Sequence, residues 1–242
     1  MNDYAGRIIW IIGASSGIGH ALAIEMDRRG AKLILSARQS EKLQGLNTEL
    51  GGRHRVYPVD VTDAGEVEKA ATDIFSSKIN SVVFLAGIYH PTKLSALNLQ
   101  DCRDILATNL GGAFNLIAAV LPHYPAQIAL CASVVGYRGL PNAQPYGATK
   151  AGLINLAESL RAEMRGTGVD VKLINPGFVR TPMTAKNDFP MPMMIEPAEA
   201  ASAIADGLLG RAFEIHFPKR FTWLLKLAQL IPDRLYFALV PK

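Results

Sequence analysis

The sequence predicts an α/β protein built on one doubly wound parallel sheet with helices on both faces. Short runs rich in Ile, Val and Leu recur along the chain and are apolar at nearly every position, as in strands buried on both faces. Longer stretches of helical character separate these runs, and parallel strands need such crossover connections. The 242 residues, 49% of them apolar, suffice for one sizeable domain.

The elements follow one another in regular alternation. Seven strands are predicted, at 7–12, 32–36, 55–59, 81–85, 128–132, 170–174 and 213–217. Six helices are predicted between them, at 18–29, 41–50, 63–76, 99–121, 144–165 and 197–209. Asn109 and two following glycines are poor helix formers, so we expect a local distortion in the fourth helix. We expect residues 1–217 to form the main domain and residues 218–242 a helical tail.

The charge distribution excludes some classes of function. The tail has five basic residues and one acid, Asp233, and therefore holds the whole net charge of +4. No basic folded face is indicated, which argues against nucleic-acid binding. No apolar run has the length of a spanning helix, and no targeting segment is seen. Cys102 and Cys131 show no pairing pattern, and the histidines lack metal-ligand spacing. We expect a protein of the reducing cytoplasm without a metal site.

A glycine-rich loop joins the first strand to the first helix. Gly13, Gly17 and Gly19 allow a tight turn and let backbone N–H groups approach a pyrophosphate at the positive end of the helix. A plain turn is the alternative. The other candidate contacts in this loop are Ser15, Ser16 and Ile18. The spacing G-x-x-x-G-x-G resembles the signature of the short-chain dehydrogenase/reductase family.

A second motif provides proton-transfer chemistry. Tyr146 and Lys150 stand at i and i+4 of a predicted helix, so the phenol and the ammonium share one face. A nearby cation stabilises a phenolate and lowers the tyrosine pKa from near 10 towards neutrality. This pair is mostly structural when found alone, but Ser133 follows the fifth strand at the edge where ligands bind. Together with Asn109, these residues are similar in order and spacing to the Asn-Ser-Tyr-Lys tetrad of the family.

The resemblance extends over residues 7–217 and implies specific roles. It implies a Rossmann-like fold, with Tyr146 as general acid/base and Ser133 holding the substrate oxygen. Lys150 would lower the tyrosine pKa and bind the nicotinamide ribose, and Asn109 would hold a water in a proton relay. The family transfers hydride between a nicotinamide cofactor and a ketone or secondary alcohol, and its members are usually dimers or tetramers.

Further cofactor contacts are expected at the strand ends. An acid after the second strand would bind the ribose hydroxyls of NAD, whereas Arg38 favours the 2′-phosphate of NADP(H); a solvated surface arginine is the alternative. The family places Asp60 on the adenine and uses the backbone of Val61, although Asp60 alone is typical of a helix cap. The other implied contacts are Ala86, Gly87, Pro176, Gly177, Val179 and Thr181.

The expected substrate pocket contains few charges. Val135, Tyr137 and Phe178 are predicted to line it. The methionine-rich segment 183–196 is interpreted as a mobile lid, with core filling as an equal alternative. These features favour a hydrophobic or lipid-like carbonyl or alcohol substrate. A catalytically silent NADP(H)-binding sensor or scaffold is the alternative function.

The tail is predicted to contain an amphipathic helix over residues 221–231, with Pro232 ending it or starting a second turn. Basic residues flank this helix at Lys219, Arg220, Arg234 and Lys242. The segment resembles an interfacial helix that rests on anionic lipid, which would place the protein at the inner face of a membrane. The alternative is that the helix packs over the substrate entrance or against a second subunit.

Overall fold

The computed structural model describes residues 3–239, and its sheet has seven parallel strands in the order β3-β2-β1-β4-β5-β6-β7. The strands are β1 Ile8–Ile12, β2 Lys32–Ser36, β3 Arg55–Val56, β4 Ser81–Phe84, β5 Gln127–Cys131, β6 Asp170–Pro176 and β7 Glu214–Phe217. The strand order reverses between β1 and β4, which is where doubly wound sheets bind ligands. The predicted fold class is confirmed.

Nine helices are described. They are α1 Gly17–Arg28, α2 Ser40–Glu49, α3 Ala64–Ile74, α4 Leu99–Leu106, α5 Gly112–Val120, α6 Tyr146–Glu163, α7 Pro197–Leu209, α8 Lys219–Ala228 and α9 Asp233–Leu239. Apolar residues of α1, α2 and α7 pack on one face of the sheet, and those of α3, α5 and α6 pack on the other. Along β1, Ile11 belongs to the first cluster and Trp10 to the second. This burial on both faces explains why β1 is apolar at every position.

The expected distortion of the fourth helix is present. Residues Ala107–Gly111 form a π-helical turn between α4 and α5, and this turn contains the buried Asn109. The whole helical stretch Leu99–His123 is long and apolar enough, by composition, to cross a membrane. Core helices of soluble proteins pass the same test, and here α5 packs against α3 in the second cluster.

Several predicted boundaries were wrong. β3 is regular strand only over Arg55–Val56 instead of 55–59, although the N–H groups of Tyr57 and Val59 still donate to the carbonyl oxygens of Leu35 and Ala37 at 2.9 and 3.1 Å. β5 ends at Cys131, one residue before its predicted end, and Ser133 follows it as the cap of a short helical turn, Val134–Gly136. The helix predicted at 144–165 is α6, which begins at Tyr146, directly after Pro145.

The predicted tail helix is shorter than expected and is followed by a second one. Pro232 separates α8 from α9. Phe221 of α8 is buried, whereas Leu224, one turn later on the same helix, is exposed. Lys242 lies outside the described residues. The division of the chain at residue 217 stays a prediction.

Candidate active site

A cavity of about 330 Å³ opens at the carboxyl ends of the central strands. The predicted residues that line it are Gly13, Ser15, Ser16, Gly17, Ile18, Gly19, Arg38, Val61, Ala86, Gly87, Ser133, Tyr146, Lys150, Pro176, Gly177, Val179 and Thr181. The predicted residues outside its lining are Asp60, Asn109, Val135, Tyr137 and Phe178. The cavity therefore joins the glycine-rich loop to the Tyr-Lys pair in one continuous space.

The glycine-rich loop leaves the N-terminus of α1 open to an anion. Gly13 has φ +96°, and a Cβ there would lie 2.6 Å from the backbone nitrogen of Ala86. A Cβ on Gly19 would lie 2.1 Å from the carbonyl oxygen of Gly13, so neither glycine has room for a side chain. Ser16 precedes α1 without a side-chain capping hydrogen bond, and the first turn has no acidic residue. Amide groups of that turn are thus free for a phosphate, and the loop fits a dinucleotide.

The segment after β6 folds back over this loop. A Cβ on Gly17 would lie 3.3 Å from the Thr181 methyl carbon. The Thr184 hydroxyl donates to the carbonyl oxygen of Val179 at 2.6 Å and accepts from the Thr181 N–H at 3.0 Å. Val179 also pairs with Ile195 in an isolated β-bridge. These contacts fix both predicted residues, Val179 and Thr181, at the cavity wall.

Arg38 and Asp60, which are expected to contact the adenosine half of the cofactor, differ in their surroundings. Arg38 is exposed at the cavity, and its guanidinium has no hydrogen-bond partner within residues 3–239. The Asp60 carboxylate accepts from the Thr62 N–H at 2.9 Å and from its hydroxyl at 2.8 Å, which closes a turn. The interpretation of Asp60 as a helix cap was wrong, because Asp63 caps α3 by accepting from the Glu66 N–H at 3.0 Å. The adenine contact of Asp60 stays a prediction.

Tyr146, which is half-buried, meets the buried Lys150 at the cavity wall. The Lys150 ammonium lies 5.3 Å from the centroid of the Tyr146 ring and donates to the carbonyl oxygen of Cys131 at 2.8 Å. The ring of Tyr89 meets Tyr146 edge-on, with centroids 4.9 Å apart. Burial raises the pKa of the Tyr146 phenol, whereas the Ser133 hydroxyl lowers it. Burial also lowers the pKa of Lys150. The pKa of Tyr146 is thus raised, not lowered towards neutrality as expected, because desolvation dominates, and the phenol is protonated at neutral pH and able to donate.

Ser133 and Asn109 are held by backbone groups. The Ser133 hydroxyl donates to the carbonyl oxygen of Pro176 and accepts from the Val135 N–H, both at 3.3 Å. The Asn109 amide group brackets Ile88, accepting from its N–H at 2.8 Å and donating to its carbonyl at 3.0 Å. Asn109 also donates to the Thr149 hydroxyl at 3.2 Å. It therefore ties the loop after β4 to α6, while its role in a proton relay stays a prediction.

A polar cluster beside the site was missed by the sequence reasoning. The Glu214 carboxylate accepts from Tyr137, Asn175 and Lys226, and so links the loop after β5 to β6 and α8. The available signal was the presence of two polar residues, Asn175 near the end of β6 and Glu214 at the start of β7. Tyr137 is thereby oriented towards Glu214, and its place in the substrate pocket stays a prediction.

Apolar contacts extend from the cavity to the tail. The Phe178 ring lies 5.5 Å from that of Phe221 on α8 and 6.1 Å from that of Phe189, between centroids. A Cβ on Gly177 would lie 2.9 Å from the Phe221 ring. The predicted residues Phe178 and Val135 flank the cavity without lining it. An aromatic cluster thus lies between Gly177, at the cavity wall, and the outer surface of α8.

Comparison with known proteins agrees with this geometry. The family model described as short chain dehydrogenase matches residues 7–190. An uncharacterized oxidoreductase of Myxococcus xanthus is 35% identical over 98% of this chain and 98% of its own length. The 3-oxoacyl-(acyl-carrier-protein) reductase FabG of Escherichia coli is 33% identical over 75% of this chain and 77% of its own length.

Solved structures show the same fold. A short chain dehydrogenase from Burkholderia cenocepacia, in complex with NADP, superposes with a TM-score of 0.86. It is 24% identical, and the match covers 98% of this chain and 99% of that one. The likeness includes the region of α8 and α9, since it spans nearly the whole chain.

Proposed function

The chain belongs to the short-chain dehydrogenase family, and from this premise we propose an NADP(H)-dependent oxidoreductase that moves hydride between the cofactor and a ketone or secondary alcohol. The observation that supports it best is the convergence of Ser133, Tyr146 and Lys150 on the same cavity as the uncapped N-terminus of α1. A site built this way offers a proton donor next to a place for a dinucleotide.

Each side chain of the site has its own role in the proposed reaction. NADPH, when bound, supplies the hydride that reduces the carbonyl carbon. Tyr146 donates its proton to the carbonyl oxygen, since burial keeps the phenol protonated at neutral pH. The Ser133 hydroxyl orients that oxygen, and the ammonium of Lys150 stabilises the phenolate that remains. In the oxidative direction the same groups act in reverse.

Cofactor choice rests on Arg38. Its exposed guanidinium stands at the end of β2, where it can form charge-assisted hydrogen bonds with a 2′-phosphate. Ser15 also lines the cavity and provides a second donor. We propose NADP(H) as the preferred cofactor for this reason.

A hydrophobic substrate fits the surroundings of the site. Phe178, Phe189 and Phe221 form an aromatic cluster next to Gly177, and Tyr89 covers Tyr146. Burying apolar substrate surface against these rings is favourable by about 25 cal/mol per Å². The Escherichia coli relative is named for a 3-oxoacyl substrate, a ketone on an acyl chain. We propose a lipid-like carbonyl or alcohol substrate, and a dimer or tetramer in the cytoplasm.

The test is a titration of the protein with NADPH and NADH by nicotinamide fluorescence, followed by turnover on ketones of increasing chain length. We expect tighter binding of NADPH, turnover that rises along the series, and loss of turnover in Tyr146→Phe with NADPH binding kept. Binding without turnover on any ketone would favour a sensor or scaffold. Full turnover by Tyr146→Phe would refute the proposed chemistry.

A further inference from the structure

Helices α8 and α9 turn apolar side chains towards solvent. On α8, Leu224 is 61% exposed and Leu227 60% exposed, while Phe221 and Thr222 on the opposite side are buried. We call the exposed apolar set the C-terminal surface: it consists of Trp223, Leu224, Leu227, Leu230, Leu235, Phe237 and Leu239. A soluble helix normally exposes its polar face, so this arrangement is the reverse of the usual one. Several exposed apolar side chains on two consecutive helices indicate an interaction site.

The body of the protein holds this surface in place. The Arg138 guanidinium lies 3.7 Å from the centroid of the Tyr236 ring and donates to the carbonyl oxygens of Ala228 at 2.9 Å and Ile231 at 2.6 Å. The Tyr236 hydroxyl donates to the carbonyl oxygen of Gly139 at 2.6 Å. Because these bonds fix both helices to the loop after β5, the apolar side chains are displayed on an ordered support.

The charges around the surface identify its partner. Lys219, Arg220 and Arg234 are exposed and form no ion pair within residues 3–239. Asp233, the sole acid of the tail, already pairs with Arg138. Free cations beside apolar side chains complement an anionic lipid surface, where each cation adds about 1 kcal/mol. A two-fold contact between copies would instead bring the same cations together on both subunits.

We propose that the C-terminal surface docks on an anionic phospholipid bilayer. Its leucines, Phe237 and Trp223 enter the boundary between head groups and acyl chains, and the three cations contact lipid phosphates. Trp223 suits this position because indole rings favour the membrane–water interface. The proposal does not depend on the proposed reductase activity, since it uses only the outer face of α8 and α9.

The two tryptophans of the chain permit a direct test. Trp10 is fully buried in β1, whereas Trp223 is 56% exposed, so lipid contact changes only the emission of Trp223. The full-length protein is mixed with vesicles of phosphatidylcholine, with or without phosphatidylglycerol. We expect a blue shift and quenching by brominated acyl chains with the anionic vesicles, weakened by salt. The Trp223→Phe variant should show neither signal while still co-sedimenting.

Two double variants separate the apolar contribution to lipid binding from the electrostatic one. Leu224→Ser/Leu227→Ser should abolish co-sedimentation, and Lys219→Gln/Arg220→Gln should weaken it about thirtyfold. Leu99→Ser, with an equally exposed leucine on α4, should bind vesicles like the wild type. Failure of the wild type to bind anionic vesicles would overturn the proposal. In that case the two proteins are compared by sedimentation without lipid. A smaller species for Leu224→Ser/Leu227→Ser than for the wild type would then show that a second copy of the chain covers the surface.

Discussion

The ammonium nitrogen of Lys150 lies 2.8 Å from the carbonyl oxygen of Cys131, the last residue of β5. This hydrogen bond aims a positive charge from α6 at the end of the central sheet, and the ring of Tyr146 lies beside it. A buried ammonium needs such a partner, because its desolvation is otherwise unfavourable. The bond therefore fixes where the cation stands relative to the phenol.

Replacing Lys150 by Met should remove this charge and lower kcat/KM for ketone reduction by roughly a hundredfold to ten-thousandfold. NADPH consumption measures the rate, and NADPH fluorescence measures cofactor binding separately. Lys172→Met is the matched control, since Lys172 is equally buried but bonds the carbonyls of Gly210 and Ala212 away from the cavity. We expect that variant to lose stability and keep its turnover per folded molecule. Equal losses of turnover in both variants would contradict a specific role for Lys150.

The pKa of Tyr146 predicts how the phenol titrates. Since burial raises this pKa above 10, the phenol of the cofactor-free protein should stay protonated at pH 9.5, about half a unit below the ordinary tyrosine value. Phenolate absorbance of the wild type and of Tyr146→Phe should therefore coincide up to that pH. When both proteins are unfolded in denaturant, their phenolate absorbance should differ by the contribution of one tyrosine. A difference between the folded proteins near pH 8 would show that the cation of Lys150 outweighs burial.

The sequence predicts the site well where side-chain type matters and poorly where the backbone acts. The poor helix formers around Asn109 correctly predict a distortion, which is the π-helical turn that contains this buried residue. Nothing in a side chain indicates that the carbonyl of Cys131 holds Lys150, or that Ile88 holds Asn109, because any residue supplies those groups. The exposure of Leu224 was unpredictable for a related reason. Periodicity gives the faces of a helix but not which face the body covers.

Arg38 should determine cofactor preference. Arg38→Ala removes the group placed to bind a 2′-phosphate, so the Kd for NADPH should rise about tenfold to a hundredfold, as for one to two charge-assisted hydrogen bonds. The Kd for NADH should be unchanged, which makes NADH the internal control. Fluorescence titration of both cofactors measures the effect. Equal weakening of the two would show that Arg38 supports the fold of the loop and does not select the phosphate.

Glu214 should stabilise the junction between β6, β7 and α8. Its carboxylate accepts hydrogen bonds from Tyr137, Asn175 and Lys226. Burial alone would raise the pKa of this carboxyl, but the hydrogen bonds lower it by more, so the pKa lies below its ordinary value. A depressed carboxyl pKa contributes stability above the unfolded value near 4.5, and that stability is lost as the pH falls through the folded value. Glu214→Gln should therefore lower the free energy of unfolding by about 1–3 kcal/mol at pH 7.

Urea denaturation at pH 7 and near pH 4 measures this dependence, and the gap between wild type and Glu214→Gln should narrow at the lower pH. Glu196→Gln is the control, because its ion pair with Arg180 is exposed and should contribute less than about 1 kcal/mol. Since Glu214 also holds Tyr137, the variant should in addition raise KM for ketones more than it lowers kcat. A gap that stays constant with pH would assign the effect to packing of the side chain instead of its charge.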